Sequence, residues 1–328
     1  MAPRVYVTRP VFGDTVERLK RDAEVRVNSG DRILSKSELI AHLKDADGAL
    51  TMVTDVIDAE LLAAAAKLKV VANFGVGINH IDVAAATRAG VIVTNTPGVL
   101  TETTADFAWT LLMAAARRVV EADRFARSGK FTAWDPKLFV GHDIYGKTLG
   151  IVGLGRIGQA VARRAAGFNM RILFHNPRPI PERVIKELGV TPVSLEELLR
   201  VSDFISLHVP LLPETTHLLN DRTFALMKPA CIVVNTSRGP VVDEKALVRA
   251  LKSGKIAAAG LDVFEREPEI EPELLELDNA VIVPHIASAS HETRIRMSTM
   301  AADNLLAVLK GNRPPNFVNP EVWDNRRR

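Results

Sequence analysis

Short runs of β-branched and other apolar residues alternate with helical patterns along almost the whole chain. In the first part of the chain these runs are 5–8, 25–27, 49–51, 70–73 and 91–94. Ser35 with Glu38 has the pattern of a capping box, and Asp58 and Asp82 precede further helical segments. Because strands and helices alternate in this way, the pattern predicts crossover connections and a parallel sheet.

A second series of the same kind begins at Thr148. Its predicted strands are 149–153, 171–174, 204–207, 232–235, 257–262 and 281–283. Its helices are predicted to start near Arg156, Ser194, Asp221 and Asp243. Two such series predict an α/β protein with two doubly wound parallel sheets, a flavodoxin-like sheet first and a Rossmann-type sheet second.

Two longer helical patterns mark the junctions between the two series. One runs over 101–117 and the other over 291–310, close to the end of the chain. We therefore expect a discontinuous first domain, residues 1–100 and 290–328, that holds the substrate. The inserted second domain, residues 101–289, is expected to hold a cofactor.

The composition is that of a globular chain, since 47% of the 328 residues are hydrophobic and 25% are charged. The formal net charge is only +3. No basic stripe with interleaved aromatic residues is present, so we expect no nucleic-acid partner. The terminal arginines, Arg326, Arg327 and Arg328, are expected to form a solvated end.

The sequence carries few features of secretion, redox chemistry or metal binding. The single cysteine, Cys231, lies in an apolar run and excludes an internal disulfide and a cysteine-based metal site. The histidines form no convincing cluster, and we expect no metal. The first residues lack the apolar core of a signal peptide, and the longest apolar run, 108–116, is too short to cross a membrane. We therefore expect a cytoplasmic protein with no membrane partner.

A glycine-rich motif follows the strand predicted at 148–152 and opens a helix. Its residues are Gly153, Leu154, Gly155, Arg156, Ile157 and Gly158. In this setting Gly153 allows the tight turn, Gly155 lets the backbone approach a pyrophosphate, and Gly158 lets the helix pack on the strand. The helix N-terminus offers free N–H groups to phosphate. The motif therefore predicts a bound dinucleotide.

The end of the next predicted strand distinguishes NAD from NADP. An acidic residue there would bond the ribose 2′-hydroxyl and repel a 2′-phosphate. This chain instead continues with Asn176, Pro177 and Arg178. Asn176 is neutral and can still bond a ribose hydroxyl, whereas Arg178 can pair with a phosphate. We therefore expect NADPH to be preferred and NADH to be usable.

Three polar residues each come just after a predicted strand of the second series: Arg238, Glu267 and His285. Open α/β sheets bind ligands at the carboxyl ends of their strands. The planar fork of Arg238 suits a carboxylate and can polarise a neighbouring carbonyl. His285 is a proton donor near neutral pH, and Glu267 would favour the imidazolium and orient the ring. Together the three residues predict reduction of a 2-oxo acid.

Four segments resemble a known family. They are 73–82, NFGVGINHID; 146–153, GKTLGIVG; 235–239, NTSRG; and 260–264, GLDVF. With these motifs spread over essentially its whole length, the chain resembles the D-isomer-specific 2-hydroxyacid dehydrogenases. The resemblance implies that Arg238 binds the substrate, Glu267 assists and His285 donates the proton. It also implies that the backbone of Val76-Gly77 meets the substrate carboxylate.

Further cofactor contacts are expected after the later strands. Besides the glycine-rich motif and 176–178, the expected contacts are Thr236, Ser237, Arg238, Asp262, His285, Ile286 and Ala287.

Within the family, the chain most resembles glyoxylate and hydroxypyruvate reductases. The segments that carry this resemblance are 49–55, ALTMVTD, and 129–134, GKFTAW. They make Met52 and Trp134 expected substrate contacts, and small 2-oxo acids the expected substrates. The resemblance also implies a homodimer formed through the cofactor domain.

Three alternatives stay open at the level of sequence. Two are related enzymes, 2-ketogluconate reductase and phosphoglycerate dehydrogenase. The third is a dinucleotide-sensing corepressor that binds partner peptides, although we see no long disordered tail and the three predicted catalytic residues are all present. Formate dehydrogenases are excluded, because they carry Gln where this chain has Glu267.

Overall fold

The structure is a computed structural model that describes residues 2–327. The chain divides into two compact units. The first combines the residues up to Leu100 with those from Ala289 onward, and the second is Thr101–Ser288. Each unit is built around its own parallel sheet, which confirms the predicted fold class.

The first unit contains a five-stranded sheet. Its strands are β1 (Arg4–Val7), β2 (Glu24–Val27), β3 (Gly48–Thr51), β4 (Val70–Asn73) and β5 (Ile92–Thr94). Their order, β2-β1-β3-β4-β5, is the flavodoxin-like order. Strands β3, β4 and β5 are buried along their whole length, as expected where helices cover both faces of a parallel sheet.

The second unit contains a seven-stranded sheet. Its strands are β6 (Thr148–Val152), β7 (Arg171–His175), β8 (Val190–Pro192), β9 (Phe204–Leu207), β10 (Ile232–Asn235), β11 (Ala258–Leu261) and β12 (Ala280–Ile282). Their order is β12-β11-β10-β9-β6-β7-β8. The direction of winding reverses at β6, which lies between β7 and β9, and ligands bind at such a switch point.

Helices connect the strands. In chain order they are α1 (Thr15–Lys20), α2 (Lys36–Leu43), α3 (Ala59–Ala64), α4 (Val83–Arg88), α5 (Thr101–Ala116), α6 (Val119–Arg127), α7 (Arg156–Ala165), α8 (Glu182–Leu188), α9 (Leu195–Val201), α10 (Asp221–Phe224), α11 (Glu244–Lys252), α12 (Pro272–Leu275) and α13 (His291–Leu309). No helix within residues 2–327 is long and apolar enough to span a bilayer.

The predicted helix starts are confirmed where a side chain caps them. Ser35 accepts the Glu38 N–H and Glu38 accepts the Ser35 N–H, which is the predicted capping box of α2. Asp58 and Asp82 cap α3 and α4 in the same way, by accepting N–H groups three residues on. Each cap satisfies N–H groups that have no partner inside the helix.

Strand β8 and helix α6 are among the elements that were not predicted from the sequence. Strand β8 is an edge strand of three residues that ends in a proline, so it lacks a long β-branched run. Helix α6 has no buried residue, and Arg118 in the left-handed conformation separates it from α5. Its apolar and polar residues nevertheless follow helical spacing, a signal that the sequence analysis did not use.

The expectation of a solvated C-terminus is wrong for Arg326 and Arg327, while Arg328 lies outside the described residues. The Arg327 guanidinium donates to the carbonyls of Leu62, Ala65 and Leu68, in and just after α3. The Arg326 guanidinium lies 3.7 Å from the centre of the Trp323 ring. Carbonyls at a helix end need donors, and a guanidinium supplies several at once.

Candidate active site

The three predicted catalytic residues lie at one edge of the second sheet. Strands β10, β11 and β12 are adjacent and parallel, so their carboxyl ends lie side by side. Arg238, Glu267 and His285 follow the ends of these strands by a few residues each. The topology therefore places all three on neighbouring loops of the same edge.

Glu267 and His285 are in direct contact. Nδ1 of His285 lies 2.8 Å from Oε2 of Glu267. The other carboxylate oxygen of Glu267 accepts the Phe264 N–H at 2.9 Å. Burial acts to raise the pKa of Glu267, but the hydrogen bond and charge of His285, the Phe264 N–H and the charge of Arg238 outweigh it and hold the pKa below its usual range. Glu267 is therefore a carboxylate that fixes the imidazole through Nδ1.

The opposite nitrogen of that ring is available for chemistry. His285 is about one-third exposed, and Nε2 makes no hydrogen bond to any residue within 2–327. The backbone of His285 is left-handed, with φ +53°, a conformation that costs energy in a non-glycine residue. Its N–H donates to the carbonyls of Asp262 and Val283, and these bonds hold the turn.

Asp262 is fully buried beneath this turn. Its two carboxylate oxygens accept the N–H groups of Ile286 and Ala287 at 2.6 and 2.9 Å. Burial raises its pKa to about 6, although the two N–H donors and His285 oppose the rise. Asp262, Ile286 and Ala287 were predicted as cofactor contacts. In this structure the carboxylate of Asp262 and the two N–H groups bond to each other and shape the loop that carries His285.

Arg238 projects from a turn that Asn235 organises. Oδ1 of Asn235 accepts the N–H and the hydroxyl of Ser237 at 3.0 and 2.8 Å, and Nδ2 donates to the Arg238 carbonyl at 2.9 Å. The Arg238 guanidinium donates to the Ser237 carbonyl at 2.6 Å. Burial lowers the pKa of Arg238, while the charge of Glu267 partly restores it. A guanidinium stays charged under either influence.

The glycine-rich motif has the form that a dinucleotide needs. Gly153 has φ +96°, and a Cβ there would lie 2.7 Å from the His208 carbonyl oxygen. A Cβ on Gly158 would lie 2.2 Å from the Gly153 carbonyl oxygen, so α7 approaches the turn closely. At Gly155, by contrast, nothing lies within 4 Å of a Cβ position. The N-terminus of α7 is therefore open toward a phosphate.

Other predicted cofactor residues differ in exposure. The side chain of Leu154 is fully buried, so only its backbone can contact a ligand, and Ile157 is partly buried. The hydroxyl of Thr236 is buried and makes no hydrogen bond to any residue of the described range. An orphaned hydroxyl and an open helix N-terminus, both at the carboxyl ends of the strands of one sheet, fit a bound polar ligand. The residues present therefore fit a dinucleotide.

Asn176 connects the glycine-rich motif to the loop that follows β7. Its Oδ1 accepts the Leu154 N–H at 3.0 Å, and its Nδ2 donates to the Arg178 carbonyl at 2.6 Å. The side chains of Pro177 and Arg178 are exposed. An aspartate could make the first of these bonds but not the second, because it has no N–H. The amide therefore suits this loop in a way that an acid would not.

In the first unit, Val76 and Gly77 lie in the loop after β4. Asn73 donates through Nδ2 to the carbonyls of Gly75 and Gly77, at 3.0 and 2.9 Å. Asn95 donates to the Val76 carbonyl at 2.9 Å. Three successive carbonyls are thus tied down, and successive backbone N–H groups in such a loop can form an anion-binding concavity.

The last two predicted substrate contacts lie in different surroundings. Met52 is partly buried in the first unit, and its N–H donates to the buried carboxylate of Asp55 at 2.7 Å. Trp134 lies in the second unit and is 80% exposed. No group of three His, Cys, Asp or Glu residues between 2 and 327 is arranged to hold a metal.

Several residues that hold these loops were missed by the sequence analysis: Asn73, Asn95, Asp55 and Asn235. The available clue was position, since Asn73 and Asn235 are each the last residue of a buried strand. Asparagine is disfavoured inside strands, so its place at a strand end calls for a local hydrogen-bonding role.

Comparison with known proteins agrees with this architecture. Residues 109–287 match the family described as D-isomer specific 2-hydroxyacid dehydrogenase, NAD binding domain. The chain is 56% identical to a glyoxylate reductase of Korarchaeum cryptofilum over 325 residues, which cover 98% of this chain and 97% of that protein.

Two solved structures are similar over nearly their whole length. A protein of Thermus thermophilus is 49% identical, with a TM-score of 0.89, 96% of this chain covered and 99% of that one. The NADPH-dependent glyoxylate/hydroxypyruvate reductase of Sinorhizobium meliloti, solved with NADP and malonate, is 34% identical, with a TM-score of 0.85 and coverage of 100% and 99%.

The resemblance predicted from the sequence is confirmed by these matches, and so is the Rossmann type of the second sheet. The chain belongs to the D-isomer specific 2-hydroxyacid dehydrogenase family and is an oxidoreductase with the NAD-binding Rossmann domain of that family.

Proposed function

We propose that this protein reduces glyoxylate and hydroxypyruvate to the corresponding 2-hydroxy acids, with NADPH as the preferred reductant. The observation that carries the proposal is the Glu267–His285 pair, held at 2.8 Å on the sheet edge that also carries Arg238. It is supported by the similarity to a glyoxylate reductase and to an NADPH-dependent glyoxylate/hydroxypyruvate reductase.

The roles follow from the chemistry of the side chains. Arg238 grips the substrate carboxylate with its planar fork and polarises the adjacent carbonyl. The glycine-rich motif and Arg178 would hold NADPH, which would supply the hydride to the carbonyl carbon. The carbonyl oxygen, which gains negative charge, takes the proton from Nε2 of His285, and the neutral ring regains a proton from solvent. Glu267 keeps the ring oriented through Nδ1 and favours the protonated form.

We assign the remaining substrate contacts from the family resemblance at Val76-Gly77 and from the resemblance to glyoxylate and hydroxypyruvate reductases at Met52 and Trp134. The backbone of Val76-Gly77 holds the carboxylate, and Met52 and Trp134 limit the size of the substrate side chain. We also propose a homodimer formed through the cofactor domain. The exposed apolar residues Phe131, Trp134, Val140 and Tyr145, each between 60% and 80% exposed, suit a surface that a second copy covers.

The test is a substrate panel. Oxidation of NADPH and of NADH is followed with glyoxylate, hydroxypyruvate, pyruvate, 2-ketogluconate and phosphohydroxypyruvate. We expect glyoxylate and hydroxypyruvate to have the highest specificity constants. A higher constant for 2-ketogluconate or phosphohydroxypyruvate would replace the proposed substrates, and no turnover of any member at micromolar enzyme would favour a dinucleotide-sensing binding protein.

The proton donor is tested with His285→Asn. We expect the variant to bind NADPH normally, measured by nucleotide fluorescence, and to lose on the order of a hundredfold or more in turnover because a positioned proton donor is gone. Near-normal turnover would remove His285 from this role.

A further inference from the structure

Glu244, the first residue of α11, is a buried acid that the proposed mechanism does not use. Its side chain is buried, with the residue only 5% exposed. No lysine, arginine or histidine between residues 2 and 327 forms an ion pair with it. Burying a charge without a cation is costly. Burial raises the pKa of Glu244, and the nearby carboxylates of Glu265 and Glu271 raise it further.

The bonds of this carboxylate go to backbone. Oε1 accepts the Glu265 N–H at 2.5 Å, and Oε2 accepts the Glu271 N–H at 3.3 Å. In return, the Glu244 N–H donates to Oε2 of Glu265 at 3.3 Å, and Oε1 of Glu265 lies 2.7 Å from Nε2 of His217. The Glu244 carboxylate therefore ties together two points of one loop, and its own helix start is tied to the same loop.

That loop, 265–271, is the one that carries Glu267. Inside the loop the Glu269 N–H donates to the Arg266 carbonyl at 2.9 Å, and Arg266 pairs with Glu271 at 3.6 Å. The Glu265 N–H bond lies two residues before Glu267, and the Glu271 N–H bond lies four residues after it. Both bonds end on the same side chain, so Glu244 connects the two ends of the segment that carries Glu267.

We propose that Glu244 is a positioning residue for the Glu267–His285 pair. It closes the 265–271 loop and thereby sets the distance between the Glu267 carboxylate and Nδ1 of His285. This inference rests on the proposed function, because it assumes that His285 is the proton donor that Glu267 orients. A carboxylate is required because both of its oxygens must accept an N–H, and an amide can accept with only one of its two terminal atoms.

The test combines Glu244→Gln with Glu267→Gln, singly and together. We expect Glu244→Gln to lower kcat roughly tenfold or more, since displacing a catalytic group by about 1 Å is enough for such a loss. The alkaline limb of the kcat profile should move to lower pH, because the imidazolium loses a well-placed carboxylate. In the Glu267→Gln background, the same substitution should change kcat by no more than about twofold and leave the alkaline limb at the same pH. This is the result expected when one residue acts through the other.

A second readout does not depend on turnover. In protein labelled with ¹⁵N-histidine, the titration of the His285 ring is followed by NMR and identified with His285→Asn. Glu244→Gln should move the His285 midpoint to lower pH, toward that of Glu267→Gln, and should have no effect once Glu267 is glutamine. An absent activity in the wild type would overturn the proposed function, whereas the NMR cycle would still decide the role of Glu244.

The matched control is Glu273→Gln. Glu273 is an exposed carboxylate whose partner, Lys252, is the last residue of the same helix, α11. This variant should leave kcat, the pH limb and the His285 titration unchanged. Glu244→Asp, which keeps the charge but shortens the reach, is measured beside Glu244→Gln and carries the same test if the glutamine variant does not fold.

Two results would overturn the proposal. In one, Glu244→Gln or Glu244→Asp lowers the melting temperature but leaves the pH limb and the His285 titration where they are in the wild type, which is the behaviour of a merely structural residue. In the other, the effect of Glu244→Gln is undiminished in the Glu267→Gln background, which would mean that Glu244 acts directly through its charge.

Discussion

The loops after β4 and β10 are both held by an asparagine at the end of the preceding strand, but they present different groups. Asn73 and Asn235 are each the last residue of a buried strand. The amide of Asn73 donates to the carbonyls of Gly75 and Gly77, and that of Asn235 donates to the Arg238 carbonyl. After Asn73 the loop is rich in glycine and presents backbone, at Val76-Gly77. After Asn235 the loop presents a side chain, the guanidinium of Arg238.

The difference lies in the surroundings of each loop. A Cβ added to Gly75 would meet only Nδ2 of Asn73, at 3.4 Å. A Cβ added to Gly239 would lie 1.8 Å from the Phe264 carbonyl oxygen and 2.5 Å from the Glu265 nitrogen. The loop after β4, which presents backbone, is therefore loosely packed at Gly75. The loop after β10, which positions the Arg238 side chain, is tightly packed against the Phe264–Glu265 backbone.

The largest expected effect comes from substituting alanine for the glycine in each of these two loops. Gly239→Ala should lower the free energy of unfolding by about 3 kcal/mol, measured by urea denaturation, because the Phe264 backbone must move. The same movement displaces the Phe264 N–H that bonds to Glu267, so turnover should fall by roughly a hundredfold.

Gly75→Ala is the matched variant in the other loop. Its φ lies outside the left-handed region, and the added Cβ meets ordinary contact distances. We expect its unfolding free energy to stay within about 0.5 kcal/mol of the wild type. Equal losses in the two variants would show that the loops are packed alike, contrary to the comparison.

The next largest effects come from substituting alanine for the asparagine that precedes each loop. Asn235→Ala should lower kcat and raise the KM for glyoxylate, with a combined loss of roughly a hundredfold, because in the proposed function Arg238 both binds the carboxylate and polarises the carbonyl. Asn73→Ala should raise KM roughly tenfold with kcat near that of the wild type, because in the proposed function the backbone N–H groups at Val76-Gly77 bind the substrate and the transition state equally.

A control for these variants lies on an edge strand. Asn28 directly follows β2 and donates to the carbonyls of Thr8 and Arg32, yet neither bond lies in a predicted site loop. Asn28→Ala should therefore change stability and leave both kinetic constants alone. A fall in kcat without a change in KM for Asn73→Ala would contradict the role given to its loop.

Much of the fold was predictable because local and global signals agree. The runs 70–73, 204–207 and 232–235 are strands with those bounds, since each is a short apolar run buried on both faces. Edge strand β8 was missed because three residues that end in a proline carry no strand pattern. Helix α6 was missed although its apolar and polar residues follow helical spacing.

The candidate site was predictable only in part. Arg238, Glu267 and His285 could be singled out because their types suit the chemistry and because parallel strands end together. The supporting groups could not, since the roles of Glu244 and Asn235 depend on which backbone groups the fold brings to them. Arg327 contacts α3 through hydrogen bonds between residues more than 250 positions apart in the sequence. No local sequence pattern indicates such a contact.

A third strand-end asparagine, Asn176, gives the smallest expected effect. It directly follows β7, and its side-chain amide accepts the Leu154 N–H and donates to the Arg178 carbonyl. Both polar atoms of the amide are therefore used within the loop. A preference for NADPH over NADH would then depend on the exposed side chain of Arg178. We expect Arg178→Ala to lower the ratio of specificity constants, NADPH over NADH, by about tenfold, the lower end of the range for a charge-assisted contact because the site is exposed.

The measurement is that ratio with glyoxylate, in the wild type, in Arg178→Ala and in Asn176→Asp. Arg178→Ala should act on NADPH alone, because NADH has no 2′-phosphate for a guanidinium to meet. Asn176→Asp should favour NADH, since it adds a charge that repels the 2′-phosphate and loses the bond to the Arg178 carbonyl. A wild type that prefers NADH, or a ratio that Arg178→Ala leaves unchanged, would mean that this loop holds its backbone like the loop after β4 and presents no side chain to the cofactor.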